Sequence, residues 1–176
     1  MSAIHSLWTI GHSTHSLETF IEMLLSFNIE VVADVRSLPG SRKFPQFDQE
    51  NLIAKLPEAG IQYIYLKNLG GRRKMRKDSD NTGWRSVSFR GYADYMETDQ
   101  FKAGIAELEQ IASQKRTAIM CAEAVWWRCH RSLVSDYMKW KGWNVCHIMG
   151  IGQEKEHPYT APAHIINGQL SYKKDE

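Results

Sequence analysis

The sequence predicts an α/β fold of three layers: a mostly parallel five-stranded sheet with helices on both faces, Rossmann-like, followed by a C-terminal β-hairpin. Three observations carry this. Short apolar runs recur along the chain, and the one from Ala118 to Cys121 has no polar residue, as a strand buried on both faces requires. Between these runs, apolar residues return at three- and four-residue spacing, which is the mark of amphipathic helices. Strands that alternate with helices imply right-handed crossovers and a parallel sheet covered on both sides. With 176 residues the chain reads as one α/β domain, residues 1–176, long enough to bury roughly 70% of its unfolded surface.

The elements follow in order. Leu7 to Ile10 is a β-prone run stopped by Gly11. Ser16 is a good N-cap, Glu18 lies in the first turn, and Leu17, Phe20, Ile21, Leu24 and Leu25 share a face, which predicts a helix to about Phe27. Glu30 to Val35 is the second strand. Pro39, Gly40 and Pro45 make the next segment a loop, with Arg36, Arg42 and Lys43 exposed on it. Asp48 caps a second helix through Leu52, Ile53 and Leu56, which Pro57 ends early, near Gly60. Ile61 to Leu66 is the third strand. Five of the six positions from Arg72 to Lys77 are cationic, which predicts an exposed, mobile loop. Helical spacing returns from Tyr92 to Ala112, with Thr98 or Asp99 capping a second half. After the central strand, a helix with Cys129, His130 and Arg131 in its first turn carries Leu133, Tyr137 and Trp140 on one face and ends at Gly142. Asn144 to Met149 is the fifth strand, and Asn167-Gly168 suits a tight hairpin turn between Ile165 and Leu170.

In an open parallel sheet, ligands bind beyond the carboxyl ends of the strands. There the sequence places His12 and Ser13, Asp34 and Arg36, Lys67 and Asn68, and Glu123, each predicted strand feeding one edge with a titratable or hydrogen-bonding group. His12 fits a general acid or base, or a hydrogen-bonded bystander. Asp34 and Arg36 share a strand face, as a binding pair or as partners that satisfy each other. Glu123 reads as a general base or as half of an ion pair. Cys129 has two readings: apolar packing, or a thiolate nucleophile lowered by the helix N-terminus and by Arg128, His130 and Arg131. His130 and Arg131 point to different sides of the helix, so at most one of them shares the thiol's surroundings. Arg131 suits a carboxylate or phosphate, or a salt bridge to Glu123. Cys121, within AIMC, reads as a core residue.

The totals exclude several classes. A net charge of +2 does not support nucleic-acid or membrane binding by the surface as a whole, so any such case rests on the cluster at 72–77. Three cysteines, an odd number, argue against a secreted disulfide framework and for a reducing, cytoplasmic setting. The N-terminus MSAIHSLWTIGHST lacks a basic leader before an apolar segment, and no run approaches the roughly 18 residues of a membrane span. No zinc-type cysteine spacing, HExxH or phosphate-loop pattern occurs, so neither a metal nor a cofactor is expected. The residues point to an enzyme on a small anionic or nucleotide-like ligand. In it Arg36, Arg42 and Arg131 bind the anion, His12 and Glu123 move protons, and Cys129 serves as nucleophile. The rival is a non-catalytic nucleic-acid or nucleotide binding module using loop 72–77 and tryptophan faces.

TIGHST at Thr9 to Thr14, DVRSLPGSR at Asp34 to Arg42, LGG at Leu69 to Gly71, YADYMETDQF at Tyr92 to Phe101, MCAE at Met120 to Glu123, CHR at Cys129 to Arg131 and HPYTAPA from His157 resemble, in this order, the family called domain of unknown function 488. The resemblance implies a compact α/β domain of bacterial and archaeal cytoplasm and brings no established reaction. It marks GHS, DVR, CAE and CHR as signature positions. Ala124 to Arg128, between CAE and CHR, departs from the more polar, proline-containing stretch the resemblance leads one to expect.

Overall fold

Each predicted apolar run becomes a strand of one sheet in the computed structural model, which describes residues 4–174. The first three residues of the N-terminal stretch read for a leader lie outside those described. The strands are β1 (Ser6–Gly11), β2 (Val31–Asp34), β3 (Gln62–Tyr65), β4 (Thr117–Cys121) and β5 (Asn144–Gly150). They are mutually parallel, in the order β3-β2-β4-β1-β5. A sixth strand, β6 (Gln153–Glu156), pairs antiparallel at the β5 edge. Its sequence, QEKE, is wholly exposed, so it carries no apolar signal from which a strand could be read.

The helices α1 (Leu17–Leu25) and α2 (Gln49–Lys55) cover one face, where Phe20, Leu24, Leu52 and Leu56 pack on Trp8, Ile10 and Val32. The other face is covered by α3 (Val87–Tyr95), α4 (Asp99–Ala112) and α5 (Arg131–Trp140), whose Tyr92, Phe101, Leu108 and Leu133 meet Leu7, Ala33 and Ile119. Alternate residues of one strand feed opposite cores, and each fully buried Leu or Phe contributes about 1.5–3 kcal/mol. Ser16, Asp48 and Thr98 cap their helices as predicted, each accepting a backbone N–H of the first turn. The tail folds into β7 (His164–Ile166) and β8 (Gln169–Ser171) around Asn167 and Gly168, with φ of 52° and 76°. Two successive positive φ values are what a type I′ hairpin turn demands. Among the described residues no helix is long and apolar enough to cross a membrane.

Two local expectations are corrected. Loop 72–77 is tied down: Arg73 stacks on Tyr95 at 3.7 Å, and Arg76 pairs with Glu97 and Asp78. Asp94, buried on α3, accepts from the Arg76 N–H, the Ser79 hydroxyl and the Asn81 amide, so the loop closes on a carboxylate instead of moving freely. Arg36 is buried, because its guanidinium folds back onto Asp34.

A second polar system lies wholly inside the protein. Asp136 of α5 accepts from His157 Nε2 (2.8 Å), the Thr160 N–H and hydroxyl, and the Tyr172 hydroxyl (2.8 Å). His157 Nδ1 faces His147 Nε2 on β5 at 2.8 Å, and His147 Nδ1 faces the Thr9 hydroxyl on β1. If the carboxylate fixes the proton on His157 Nε2, His147 donates to His157 and Thr9 donates to His147, so every buried member is satisfied. Trp126 stacks on His147 at 4.5 Å and 3°, which joins this network to the segment after β4.

Candidate functional site

The ladder of the central strands runs on past their ends. The His12 N–H donates to the Cys121 carbonyl (2.9 Å), Ser13 N–H to Ala122 (2.9 Å) and Val35 N–H to Met120 (3.0 Å). The segments leaving β1, β2 and β4 are thus held side by side, and beyond them opens a cavity of about 620 Å3, of a size that takes a small ligand. Of the residues singled out in the sequence, Arg36, Glu123, Cys129 and His130 line it. His12, Ser13, Asp34, Arg42 and Arg131 do not. Cys121, Arg72, Arg128 and the serines at the start of α3 complete the wall.

Asp34 and Arg36 satisfy each other. The Arg36 Nε and Nη2 atoms reach the carboxylate at 2.8–3.1 Å, Nη1 donates to the Phe47 carbonyl, and the Tyr63 hydroxyl donates to Asp34 at 2.5 Å. Burial and the neighbouring carboxylate raise the Tyr63 phenol well above its ordinary value. His12 lies flat on Phe47 at 4.3 Å, with Nδ1 at 2.9 Å from the Ser13 carbonyl, and burial holds it below its ordinary value. Ser13 takes a left-handed φ of 48° where the chain turns away from the sheet, and Arg42 is exposed on its loop.

Cys129 does not sit in the first turn of α5. A 3-10 turn at Trp126–Arg128 ends in an extended Cys129 (φ −132°, ψ 149°), and the helix starts beyond His130. The helix N-terminus therefore does not lower its thiol. Instead the neighbouring Cys121 thiol and burial raise Cys129 well above the ordinary thiol value. Burial pushes Cys121 up, but the neighbouring Cys129 thiol and the charge of Arg131 more than offset this, and its thiol is lowered. Arg131 and His130 both share these surroundings, against the expectation that only one does: His130 Nδ1 is 3.6 Å from the Cys129 sulfur, and the Arg131 charge acts on both thiols.

Arg131 is 1% exposed. One terminal nitrogen donates to the backbone carbonyls of Glu123 and Ala124, each at 3.2 Å, while Nε and Nη1 have no hydrogen-bond partner. The predicted salt bridge to Glu123 is absent, because the Glu123 side chain is exposed toward the cavity. A buried guanidinium keeps its charge, and among the described residues no carboxylate pairs with this one. The Cys121 sulfur lies 3.8 Å from the Glu123 carbonyl that Arg131 also binds. His130 Nε2 donates to the Val35 carbonyl at 2.8 Å, which leaves Nδ1 as an acceptor facing Cys129, and burial pushes its pKa down to about 4. At the cavity mouth Arg72 and Arg128 are exposed, with no side-chain partner among the described residues.

Cys121, read from the sequence as a core residue, is buried in the core cluster, and as the last residue of the central strand it also borders the cavity. Among the described residues, no group of three or more His, Cys, Asp or Glu is arranged to hold a metal ion.

Three histidines, His12 and His147 buried and His130 half-buried, shape the acid response. His12, His130 and His147 are all held below 6.5, chiefly by burial, with His130 at about 4 and His147 at about 2. Below pH 6.5 the unfolded chain takes up protons that the folded one refuses, so this stability is complete above 6.5 and is lost as pH falls toward the folded values. The melting temperature is expected to decline steadily from about pH 7 to about pH 4.5. A melting temperature that stays level over that interval contradicts neutral buried histidines.

The family model for Domain of unknown function DUF488 matches residues 16–138, from the N-cap of α1 into α5. Searches of curated proteins and of solved structures find no match. Since the matched span covers more than half of the chain and contains the DVR, CAE and CHR segments that shape the cavity, the protein belongs to the DUF488 family.

Proposed function

We propose that this chain, acting as one cytoplasmic α/β domain, is an enzyme that binds a small anionic or nucleotide-like substrate in the 620 Å3 cavity and attacks it with a thiolate. The observation that carries this is the cavity itself: two cysteines on its wall, under the charge of the buried Arg131, with two arginines at its mouth that have no side-chain partner among the described residues. Anion binding falls to Arg72 and Arg128, because Arg36 is occupied by Asp34 and Arg42 lies outside. The N-terminal turn of α3, with Ser86 and Ser88 on the wall, adds the favourable end of a helix dipole. Cys121 is the better nucleophile of the pair, since Arg131 and Cys129 favour its charged form. Glu123, exposed on the cavity, moves protons to and from the reacting group. Trp127, half exposed on the wall, offers a flat face to a base. Three free cysteines fit a reducing compartment.

The test is binding of inorganic phosphate and of a nucleoside monophosphate, by calorimetry, to the wild type and to the Arg72→Ala/Arg128→Ala double variant. Loss of both charges is expected to weaken binding at least about tenfold, roughly 1.4 kcal/mol, with the fold unchanged because both side chains are exposed. Equal affinity in the double variant, or none in the wild type, removes the anion reading. The alternative, nucleic-acid binding through loop 72–77, has less to draw on: Arg73 and Arg76 are spent within the fold, leaving Arg72, Lys74 and Lys77.

A further inference from the structure

Cys121 ends the central strand and Cys129 precedes α5, yet both residues line one cavity and lie within one core. Arg131 supplies a positive charge with its Nε and Nη1 unused, and that charge acts on both thiols. A buried cation without a carboxylate is costly unless something balances it. A thiolate on one of these two cysteines is a balancing group that the chain itself can supply. Cys129 stands in an extended residue between a 3-10 turn and the helix, so its side chain can swing toward Cys121 without unwinding α5.

We infer that Cys121 and Cys129 form a peroxide-reactive dithiol that closes reversibly to a disulfide within the cavity, with Arg131 as the positioning residue that holds the charge on Cys121. This rests on the cavity of the proposed function but not on its anion-binding arginines. In the first step the Cys121 thiolate attacks the terminal oxygen of a hydroperoxide. The O–O bond breaks, and the other oxygen leaves with a proton as alcohol or water. Cys121 is now a sulfenic acid. The Cys129 sulfur then displaces its hydroxyl, and the Cys129 proton leaves with it as water. In sum, two thiols and one hydroperoxide give a disulfide, an alcohol and water. An external dithiol restores the pair by exchange. The lowered Cys121 and raised Cys129 thiols match these roles of attacking thiolate and resolving thiol. Cys146, on β5 beside Glu154 and Glu156, is raised by burial and those carboxylates and takes no part.

The experiment is treatment of the full chain with hydrogen peroxide, read by intact mass and by peptide mapping without reductant. The expected result is loss of two hydrogens per chain, a Cys121–Cys129 crosslink, and full recovery with dithiothreitol. Cys129→Ser should arrest at a sulfenic acid on Cys121 that dimedone traps. Arg131→Met should slow the reaction at least about tenfold, while Arg131→Lys, which keeps the charge, should retain most of the rate. Should Arg131→Met fail to fold, Cys129→Ser alone decides. No mass change, a crosslink through Cys146 or between chains, or equal trapping on all three cysteines overturns the proposal. Cys146→Ser should oxidise at the wild-type rate, and because the dithiol is read by mass and the anion site by calorimetry, failure of the anion reading and failure of the dithiol can be told apart.

Discussion

Replacement of Gly11 by alanine is expected to leave little folded protein. A Cβ on Gly11 would lie 1.6 Å from the Glu123 carbonyl oxygen and 2.6 Å from its carbon, distances that no side chain can share with backbone. The obstacle cannot rotate aside, because that same carbonyl receives the buried Arg131 and lies next to the Ser13 to Ala122 hydrogen bond. Either β1 slides out of its register with β4, or the segment after β4 is pushed off the sheet and Arg131 loses its acceptors. Both damage the core, and a loss above about 4 kcal/mol places the change in the most severe class of point mutation. For a chain of this size the corresponding fall in melting temperature is roughly 10 °C or more. A Gly11→Ala protein that melts within about 2 °C of wild type would show that the segment after β4 yields freely, and the site geometry built on it would have to be abandoned.

Asp34→Asn is the second large effect. The carboxylate holds the Arg36 guanidinium through Nε and Nη2 and also receives the Arg36 backbone N–H, with both side chains buried. Making the acceptor neutral leaves a charge in the interior without its counter-ion, at a cost of about 3–5 kcal/mol. The Tyr63 phenol loses its charged acceptor at the same time. The informative comparison is with Asp34→Leu/Arg36→Met, in which no charge remains. Paired removal is often nearly neutral, so the double variant should unfold at higher denaturant than Asp34→Asn. If the double variant is the less stable of the two, the pair contributes through its hydrogen bonds to the Phe47 carbonyl and Tyr63, and not through charge balance.

The parts that were readable from the sequence are those where one physical signal acts alone. Ser16, Asp48 and Thr98 are caps because a short polar side chain just before an apolar period has one common use, and the Asn167-Gly168 turn is fixed by its demand for positive φ. Helix α3 starts at Val87, ahead of the expected Tyr92, because SFRG carries no apolar stripe although Ser86 caps it. Trp126, Cys129 and Leu133 fall at helical spacing, which predicts a helix through Cys129, yet a 3-10 turn followed by an extended residue keeps that spacing without the helix. Arg36, Glu123, Cys129 and His130, which leave different elements, do meet at one cavity. That Arg36 turns back onto Asp34, and that a thiol inside an apolar run shares a wall with another beyond a tight turn, depends on side-chain direction at sites that local pattern does not encode.

The place of β1 in the sheet has a consequence for biosynthesis. Its neighbours are β4 and β5, so the first strand to leave the ribosome has no partner on either side until Thr117–Cys121 has been made. At translation speeds of about 5–20 residues per second, its apolar LWTI segment waits for several seconds in the nascent chain. The strands and helices made first can pair β2 with β3, but the centre of the sheet closes late, by insertion of the oldest segment between the two newest parallel ones. Contacts of such long sequence separation make for slow folding, during which this apolar strand stays uncovered.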